Sequence, residues 1–221
     1  MNLICAIHQP NFLPWAGFFH KIIESDVFVL LDNVDLMHGS KISITNRTKI
    51  KTPNGEQWLT IPIQKNNSKI IKEIEMVQSP WRDKMLKTIE LNYKKSKNFT
   101  SFYPVLESII RYESTNLSDF NTNAIIEICN YLSIETPIIK SSDLNISTTN
   151  RNERIIEICK KCNANTYFSG NGGKKYHDEN SFNLNQITIK YTTYSENEYP
   201  QLFGKYLPGL SIVDQLFNIT S

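Results

Sequence analysis

The sequence feature that most constrains the fold is a strand–loop–helix–strand pattern over residues 2–31. Residues 2–7 are a short apolar stretch, residues 15–24 carry apolar side chains at helical spacing, and residues 27–31 are an unbroken apolar run. Such a run is typical of a strand in a parallel sheet that is covered on both faces. Because these elements follow one another within about 30 residues, they predict a βαβ unit. Its right-handed crossover places the loops after both strands at one edge of the sheet.

The middle of the chain predicts a β-hairpin and then helices. Two β-like stretches, 42–51 and 56–63, flank Pro53-Asn54-Gly55, which is a strong turn signal. Residues 69–77 predict a third strand in this region. Ser79-Pro80 predicts a helix start, with Ser79 as the cap and Pro80 at the first helical position. Apolar spacing predicts three helices, over 81–95, 102–112 and 118–132.

The last third of the chain returns to alternating strands and helices. Strands are expected over 137–140, 165–168 and 186–193, and Asn150 to Glu153 resemble a variant capping box that opens a helix over 151–162. The whole pattern predicts an α/β fold with a Rossmann-like parallel sheet core, an inserted β-hairpin region and a helical segment. No repeat or linker marks a boundary, so we expect one domain over 1–221, in which about 79–133 could form a helical subdomain.

Composition narrows the function classes. The 24 basic and 22 acidic residues give a net charge of +2, so there is no electrostatic case for a nucleic-acid partner. The apolar runs are too short to span a bilayer and the N-terminus lacks a secretory signal pattern, so we expect a cytoplasmic protein without membrane insertion. Cys159 and Cys162 form a Cys-x-x-Cys, but their helical context predicts reduced structural thiols and no metal.

The first candidate cluster follows the first strand and contains His8, Gln9, Asn11 and Trp15. Hydrogen-bonding side chains and an aromatic ring at the start of a helix suit a nucleotide or another polar small molecule. His8 could be a general base, because its ordinary pKa lies near neutrality. It could equally orient the proline-rich loop through backbone hydrogen bonds.

The second cluster follows the second strand. It comprises Asp32, Asn33, Asp35 and His38. Asp32 directly follows a buried apolar strand, where catalytic or metal-binding carboxylates often lie, although an acidic helix cap or turn residue is the ordinary alternative. Further along, Arg47 and Lys49 alternate onto one strand face and could hold a diphosphate or carboxylate, although exposed charges on an edge strand are the ordinary alternative.

The third cluster is the glycine-rich segment 169–174, which follows a predicted strand. Gly172 and Gly173 would let backbone amides approach an anion, and Lys174 would add positive charge. The spacing is not that of a Walker loop. Because strand-end loops gather at one edge of a parallel sheet, we expect segments 8–15, 32–49 and 169–176 to line one pocket.

At these same positions the sequence resembles the WbqC-like family, nearly end to end. The resemblance is specific because it is an ordered set of short motifs. These are residues 8–15 (HQPNFLPW), 17–19 (GFF), 26–29 (DVFV), 32–34 (DNV), 46–50 (NRTKI), 58–62 (WLTIP), 81–82 (WR), 86–89 (LKTI), 141–144 (SSDL), 172–176 (GGKKY) and 210–214 (LSIVD). A fainter likeness to the nucleotidylyltransferase superfamily concerns the fold alone, since Trp15-Ala16-Gly17-Phe18 lacks that superfamily's histidines.

The family resemblance implies a transferase of bacterial surface polysaccharide (O-antigen) biosynthesis that places glycine or a similar acyl group on an amino sugar. It implies a nucleotide-linked amino sugar as substrate, no tightly bound cofactor, and a donor thioester on coenzyme A or on an acyl or peptidyl carrier protein. Alternatives are a non-catalytic nucleotide-sugar or carrier-binding protein and a metal-dependent hydrolase. The expected catalytic residues are His8, with Asp32 or His38 as runner-up. The expected substrate-binding residues are Gln9, Asn11, Trp15, Asn33, Asn46, Arg47, Lys49, Gly172, Gly173, Lys174 and Tyr176.

Overall fold

The computed structural model describes residues 2–36, 44–65 and 68–219. The chain forms two compact units, each assembled from three separate segments. The first unit consists of Met1–Gln9, Gly17–Asn33 and Ile134–Ser195. The second unit consists of Pro10–Ala16, Val34–Ser133 and Glu196–Ser221.

The regular elements have the following bounds. The strands are β1 (Ile4–His8), β2 (Val27–Leu30), β3 (Arg47–Thr52), β4 (Gly55–Thr60), β5 (Ile138–Lys140), β6 (Thr166–Ser169) and β7 (Thr188–Tyr191). The α-helices are α1 (Ala16–Ile23), α2 (Trp81–Tyr93), α3 (Phe99–Arg111), α4 (Leu117–Tyr131), α5 (Arg151–Lys161), α6 (Glu179–Leu184) and α7 (Ile212–Asn218). Short 3-10 helices cover Ile71–Glu73, Ser141–Leu144 and Asn171–Tyr176.

The first unit is built on a five-stranded sheet in the order β5-β2-β1-β6-β7. Every neighbouring pair is parallel, with Cys5 of β1 in register with Val27 on one side and Tyr167 on the other. The chain therefore adds β2 and then β5 on one side of β1, and afterwards β6 and β7 on the other side. This confirms the predicted parallel core and gives it the strand order of a doubly wound fold, whose crevice lies between the carboxyl ends of β1 and β6.

The apolar runs of the sequence form the layers on both faces of this sheet. On one face, Cys5 and Val29 pack with Ile158 and Cys159 of α5 in a fully buried cluster. On the other face, the rings of Phe18 and Phe28 lie 5.1 Å apart. Burial on both faces explains why β1 and β2 are apolar throughout rather than alternating.

The second unit contains the β3–β4 hairpin, the helices α2, α3 and α4, and the C-terminal helix α7. The turn at Pro53-Asn54 sets the register that pairs Lys49 with Trp58. Gly55 has φ +96°, a left-handed conformation that glycine adopts without strain. In the core of this unit, the ring of Phe217 from α7 stacks on Tyr93 of α2 at 4.8 Å. The predicted hairpin and helical segment are thus confirmed.

Two local predictions are wrong, and two short helices, α6 and α7, were not predicted. Residues 69–77 form the 3-10 helix and isolated bridges instead of a strand, because their buried side chains, Ile71, Ile74 and Met76, are not spaced with a period of two. Ser79 does not cap α2, since Pro80 occupies the N-cap position and has no side-chain capping bond. The pattern also gave no sign of α7, whose cap is the Ser211 hydroxyl accepting from Val213 N.

No helix within the described ranges is both long and apolar enough to cross a membrane.

Candidate functional site

His8 lies at the carboxyl end of β1, where the strand order of the first unit reverses. Its Nδ1 lies 3.2 Å from the carbonyl oxygen of Gln9. Because a carbonyl only accepts hydrogen bonds, this contact assigns the proton of the neutral ring to Nδ1 and the lone pair to Nε2. The ring also meets Phe18 edge-on, with centroids 5.0 Å apart. His8 therefore stands at a ligand-binding position of the fold with its basic nitrogen defined.

A buried lysine beside His8 escaped the sequence analysis. Lys21 of α1 is only 4% exposed, and its Nζ donates to the carbonyl oxygen of Ile7 at 3.1 Å. Burial lowers the pKa of Lys21 to about 8, because a low-dielectric interior disfavours the ammonium. Burial and the nearby Lys21 charge together lower the pKa of His8 to about 3. At neutral pH the imidazole is thus uncharged beside a buried cation.

Asp32 follows β2 and is held by the 3-10 helix that follows β5. The backbone N–H and the hydroxyl of Ser142 donate to its Oδ1 and Oδ2 at 3.0 and 2.8 Å. The Ser141 hydroxyl lies 2.8 Å from Asn33 Oδ1 and accepts from Asp32 N–H at 3.2 Å. This geometry favours a structural role for Asp32, in joining the ends of two strands, and its catalytic role stays a prediction. His38 lies outside the described residues.

The glycine-rich segment forms the 3-10 helix Asn171–Tyr176 after β6. The Gly173 amide already donates to the carbonyl oxygen of Gly170 at 3.0 Å, so it is not available to an oxyanion in this conformation. A Cβ at Gly173 would lie 2.7 Å from both His177 Cε1 and Ser169 Oγ, whereas one at Gly172 would meet nothing within 4 Å. Gly173 is therefore required for packing against His177, and Gly172 is not.

These two glycines give a matched pair of alanine substitutions. Gly173→Ala should displace the His177 ring and lower the melting temperature, because the new methyl group would overlap the imidazole and the Ser169 hydroxyl. Gly172→Ala should leave both the melting temperature and the His177 environment unchanged. Thermal unfolding and the NMR chemical shift of His177 Cε1–H measure both effects. Equal behaviour of the two variants would contradict the close packing of Gly173.

The basic side chains of this segment lie against aromatic rings of the first unit. Lys174 Nζ is 5.7 Å from the Tyr191 ring, and the half-exposed ring of Tyr176 lies between Lys175 and Arg151. Such cation–π contacts hold the positive charges at the surface and are compatible with anion recognition. The phosphate-binding role of Lys174 and the contact role of Tyr176 stay predictions.

The second unit contains a cavity of about 250 Å³. Its lining comes from four separate segments that had each been singled out in the sequence. The lining residues are Phe12, Pro14, Trp15, Ile44, Thr48, Lys49, Trp58, Gly209, Leu210 and Ser211. Trp15 and Lys49, which we expected to bind substrate, thus line one cavity, and Trp58 and Leu210 were missed as lining residues.

One wall of the cavity is a face of the hairpin. Lys49 and Trp58 are directly opposite each other in the β3–β4 register, and the Arg47 guanidinium lies over the Trp58 ring with its central carbon 4.3 Å from the centroid. Lys49 is also paired with Glu56. The alternation that predicted Arg47 and Lys49 on one strand face therefore agrees with their common contact to Trp58.

The opposite wall is held in place by an unusual loop conformation. Leu13 has φ +39°, which is strained for a residue with a side chain. Its carbonyl oxygen accepts from the Thr48 hydroxyl at 3.0 Å and from the Ser211 hydroxyl at 2.7 Å. Two hydroxyls from different segments therefore fix the loop that carries Phe12, Pro14 and Trp15. Strain that is retained by such contacts is typical of functional sites.

Two further predicted residues have structural partners in the second unit. Asn11 is 1% exposed and lies near the Thr45 hydroxyl, and Asn46 Nδ2 donates to the carbonyl oxygen of Ile61 at 3.1 Å. These contacts favour structural roles for both asparagines, and their substrate-binding roles stay predictions. Gln9, Asp32, Asn33 and the glycine segment belong to the first unit, so convergence of all three predicted segments on one pocket stays a prediction.

The two cysteines of the Cys-x-x-Cys lie in and at the end of α5, in agreement with their predicted helical context. Cys159 is in the last part of α5 and buried, and Cys162 is the C-cap residue. The contact with Cys159 and burial hold the pKa of Cys5 far above its ordinary value, against the opposing effect of Cys162, so this thiol stays protonated at neutral pH. Among the described residues, no group of three histidine, cysteine or acidic side chains is arranged to hold a metal ion.

Comparison with known proteins places the chain in a family. The model of the WbqC-like protein family matches residues 9–221. The chain is also similar to the uncharacterized protein Rv1507c of Mycobacterium tuberculosis, with 33% identity over 218 residues that cover 97% of this chain and 93% of that protein. No solved structure matches it. Since both matches run over nearly its whole length, the chain belongs to the WbqC-like protein family.

Proposed function

We propose that this chain is an acyl or aminoacyl transferase that modifies a nucleotide-linked amino sugar of bacterial surface polysaccharide biosynthesis. The observation that supports it most is the cavity of the second unit, which is lined by the aromatic rings of Trp15 and Trp58 and by Lys49. The Arg47 guanidinium lies over the Trp58 ring. An aromatic wall suits a sugar or base ring, and a guanidinium suits the oxygens of a diphosphate.

The size of the cavity limits what enters it. Pockets that enclose a drug-sized ligand measure about 300–1,000 Å³. At about 250 Å³, the cavity holds one ring of a nucleotide-linked sugar and leaves the diphosphate outside. In this proposal Trp15 and Trp58 contact the ring, and Arg47 and Lys49 bind the phosphate oxygens.

His8 supplies the base in the proposed reaction. The sugar amine attacks the carbonyl carbon of a thioester, a C–N bond forms, the C–S bond breaks, and the amine proton passes through His8 Nε2 to the leaving thiolate. A base with a pKa of about 3 accepts that proton poorly. Burial is the larger cause of this low pKa and the Lys21 ammonium the smaller one, so loss of the Lys21 proton would raise the pKa of His8 only in part.

Substitution of Arg47 tests the binding part of this proposal. Arg47→Lys should weaken nucleotide-sugar binding by about 1–3 kcal/mol, because an ammonium keeps the charge but loses the bidentate geometry. The melting temperature should change little, since Arg47 is only partly buried. Calorimetric titration with the nucleotide alone and with the full nucleotide-sugar measures the effect.

The matched control is Arg111→Lys in the same unit, which should leave the affinity unchanged. Arg111 is exposed and paired with Glu107 and Asp83. Equal affinity of wild type and Arg47→Lys for both ligands would remove Arg47 from the site.

A non-catalytic binding protein is the second candidate function. The low pKa of His8 in the ligand-free chain favours it, and the cavity would serve it equally well. Turnover separates the two candidates. Formation of an acylated nucleotide-sugar from an aminoacyl thioester supports the enzyme, whereas tight binding without product supports the binding protein.

A further inference from the structure

The exposed side of α2 and the turn that follows it carry a concentration of positive charge. Lys84, Lys87, Lys94 and Lys95 are all exposed, and Leu91 among them is 61% exposed. Lys84, Lys87 and Leu91 belong to α2, and Lys94 is its C-cap residue with a helical backbone conformation. At 100° per residue these four side chains fall within about 80° of the helix circumference, and Lys95 follows in the turn after the helix. We call these five residues the lysine stripe. From Lys84 to Lys94 it extends along about 15 Å.

The charges of the lysine stripe are not neutralised within the described part of the chain. There, none of its four ammonium groups lies within 4 Å of a carboxylate, whereas Lys49, Arg111 and Lys190 all have acidic partners. Two acidic residues flank the stripe on α2. Asp83 is paired with Arg111, and Glu90 is exposed at the edge. The stripe is therefore a surface of net positive charge with one apolar side chain at its centre.

We propose that the lysine stripe is the docking surface for an acidic helical face of the carrier protein that delivers the acyl thioester. This rests on the proposed function in assigning the donor to a carrier. Charge complementarity carries the argument, since four cations that have no carboxylate partner in the described ranges surround one leucine, and they fit acidic side chains placed around one apolar contact. A partner helix of about three turns would match the length of the stripe.

A membrane surface fits the lysine stripe less well. A helix that binds a bilayer inserts a broad apolar face, and the apolar side chains of α2 other than Leu91, which include Met85, Leu86 and Ile89, are buried in the second unit. A single exposed leucine is too little to insert, but it is enough to centre a small protein contact.

The chemistry of the lysine stripe also sets the kind of complex. Lysines are flexible, strongly hydrated point charges, so they raise the association rate of a complex more than they lower its dissociation rate. A surface one helix wide and about 15 Å long falls in the range of small, transient interfaces. Rapid, salt-sensitive docking is what a carrier that must deliver its group and leave requires.

The test measures binding of a bacterial acyl carrier protein with a phosphopantetheine arm to the full chain, by fluorescence anisotropy at low and high salt. The double variant Lys87→Glu/Lys94→Glu should lose about tenfold or more in affinity, because each reversal turns an attraction into a repulsion. The matched control is Lys160→Glu/Lys161→Glu on α5, two exposed lysines of the first unit, which should bind as wild type does. Wild-type binding should weaken strongly at high salt.

Three outcomes would overturn the proposal: no binding of the carrier by wild type, equal losses in both double variants, or binding of phosphatidylglycerol vesicles in place of the carrier. Turnover with a coenzyme A thioester, which needs no docking, separates this proposal from the function itself. Equal coenzyme A turnover by wild type and Lys87→Glu/Lys94→Glu, with impaired carrier binding, supports the docking surface. Carrier binding without any turnover would retain the docking surface and remove the transferase.

Discussion

Replacing Asp214 by alanine should lower the free energy of unfolding by about 2–5 kcal/mol, because it removes the acceptor of two hydrogen bonds inside the second unit. Asp214 is fully buried, and its two carboxylate oxygens accept from Tyr93 Oη at 2.7 Å and from Tyr199 Oη at 2.9 Å. Alanine leaves both hydroxyls without that acceptor in a region closed to water. Urea unfolding at pH 7 measures the loss.

Asp214→Asn is the control for this prediction, since it retains one carbonyl oxygen and should cost less than alanine. Burial raises the pKa of Asp214 above its ordinary value of 3.8, against the opposing effects of the two tyrosine hydroxyls and Lys51. The folded chain therefore holds this proton more tightly than the unfolded chain, and ionisation costs stability as the pH rises above 3.8. The deficit of Asp214→Asn should thus be larger near pH 4 than at pH 7. Wild-type stability in Asp214→Ala would contradict this account.

Replacing His8 by glutamine should lower turnover by about 10²–10⁴-fold, which is the range that a general base contributes. Glutamine retains a hydrogen-bonding side chain of similar reach but cannot take up the amine proton. Steady-state assays with saturating nucleotide-sugar measure the loss, and calorimetric titration checks that the affinity for the nucleotide-sugar is retained. Full activity in His8→Gln would remove His8 from the mechanism.

The same substitution should also change how stability depends on pH. The pKa of His8 falls from 6.5 to about 3 on folding, so between these values the unfolded chain binds a proton that the folded chain does not. Wild-type stability therefore declines as the pH falls from 6.5 towards 3, and His8→Gln should flatten that decline. Burial also lowers the pKa of His177, so His177→Gln should remove a further part of the slope.

The sequence predicted those strands, helices and turns whose residue pattern depends only on the local backbone conformation. The apolar run that became β2 predicted a buried strand, because strands covered on both faces have no polar alternation. Pro53-Asn54-Gly55 predicted the hairpin, and its short turn fixes the register that brings Trp58 opposite Lys49. With that register, the contact of Trp58 with the two predicted cations could have been inferred.

Lys21 shows where periodicity fails. It lies three residues after Phe18 on the buried side of α1, whereas Ile23 is 57% exposed. Hydrophobic patterns assume that lysine faces solvent and isoleucine faces the core, and neither assumption holds on this helix. Only the packing of α1 against the sheet reveals the buried ammonium.

The cavity could not be predicted because it depends on tertiary packing. Trp15, Lys49, Trp58 and Leu210 are far apart in the chain, and local propensity does not show which segments meet. The same holds for Asp214, whose partners Tyr93 and Tyr199 come from different segments. Sequence motifs covered these regions, but only the structure shows which of their residues line the cavity and which are buried in the core.

The division of both units into three segments has a consequence for biosynthesis. Strands β1 and β2 leave the ribosome more than a hundred residues before their sheet neighbours β6 and β5, and the second unit is completed only by the last segment, Glu196–Ser221. Neither unit is therefore complete until its third segment has been made, and apolar strand edges wait for distant partners. A premature stop within Ile134–Ser195 would leave both units incomplete.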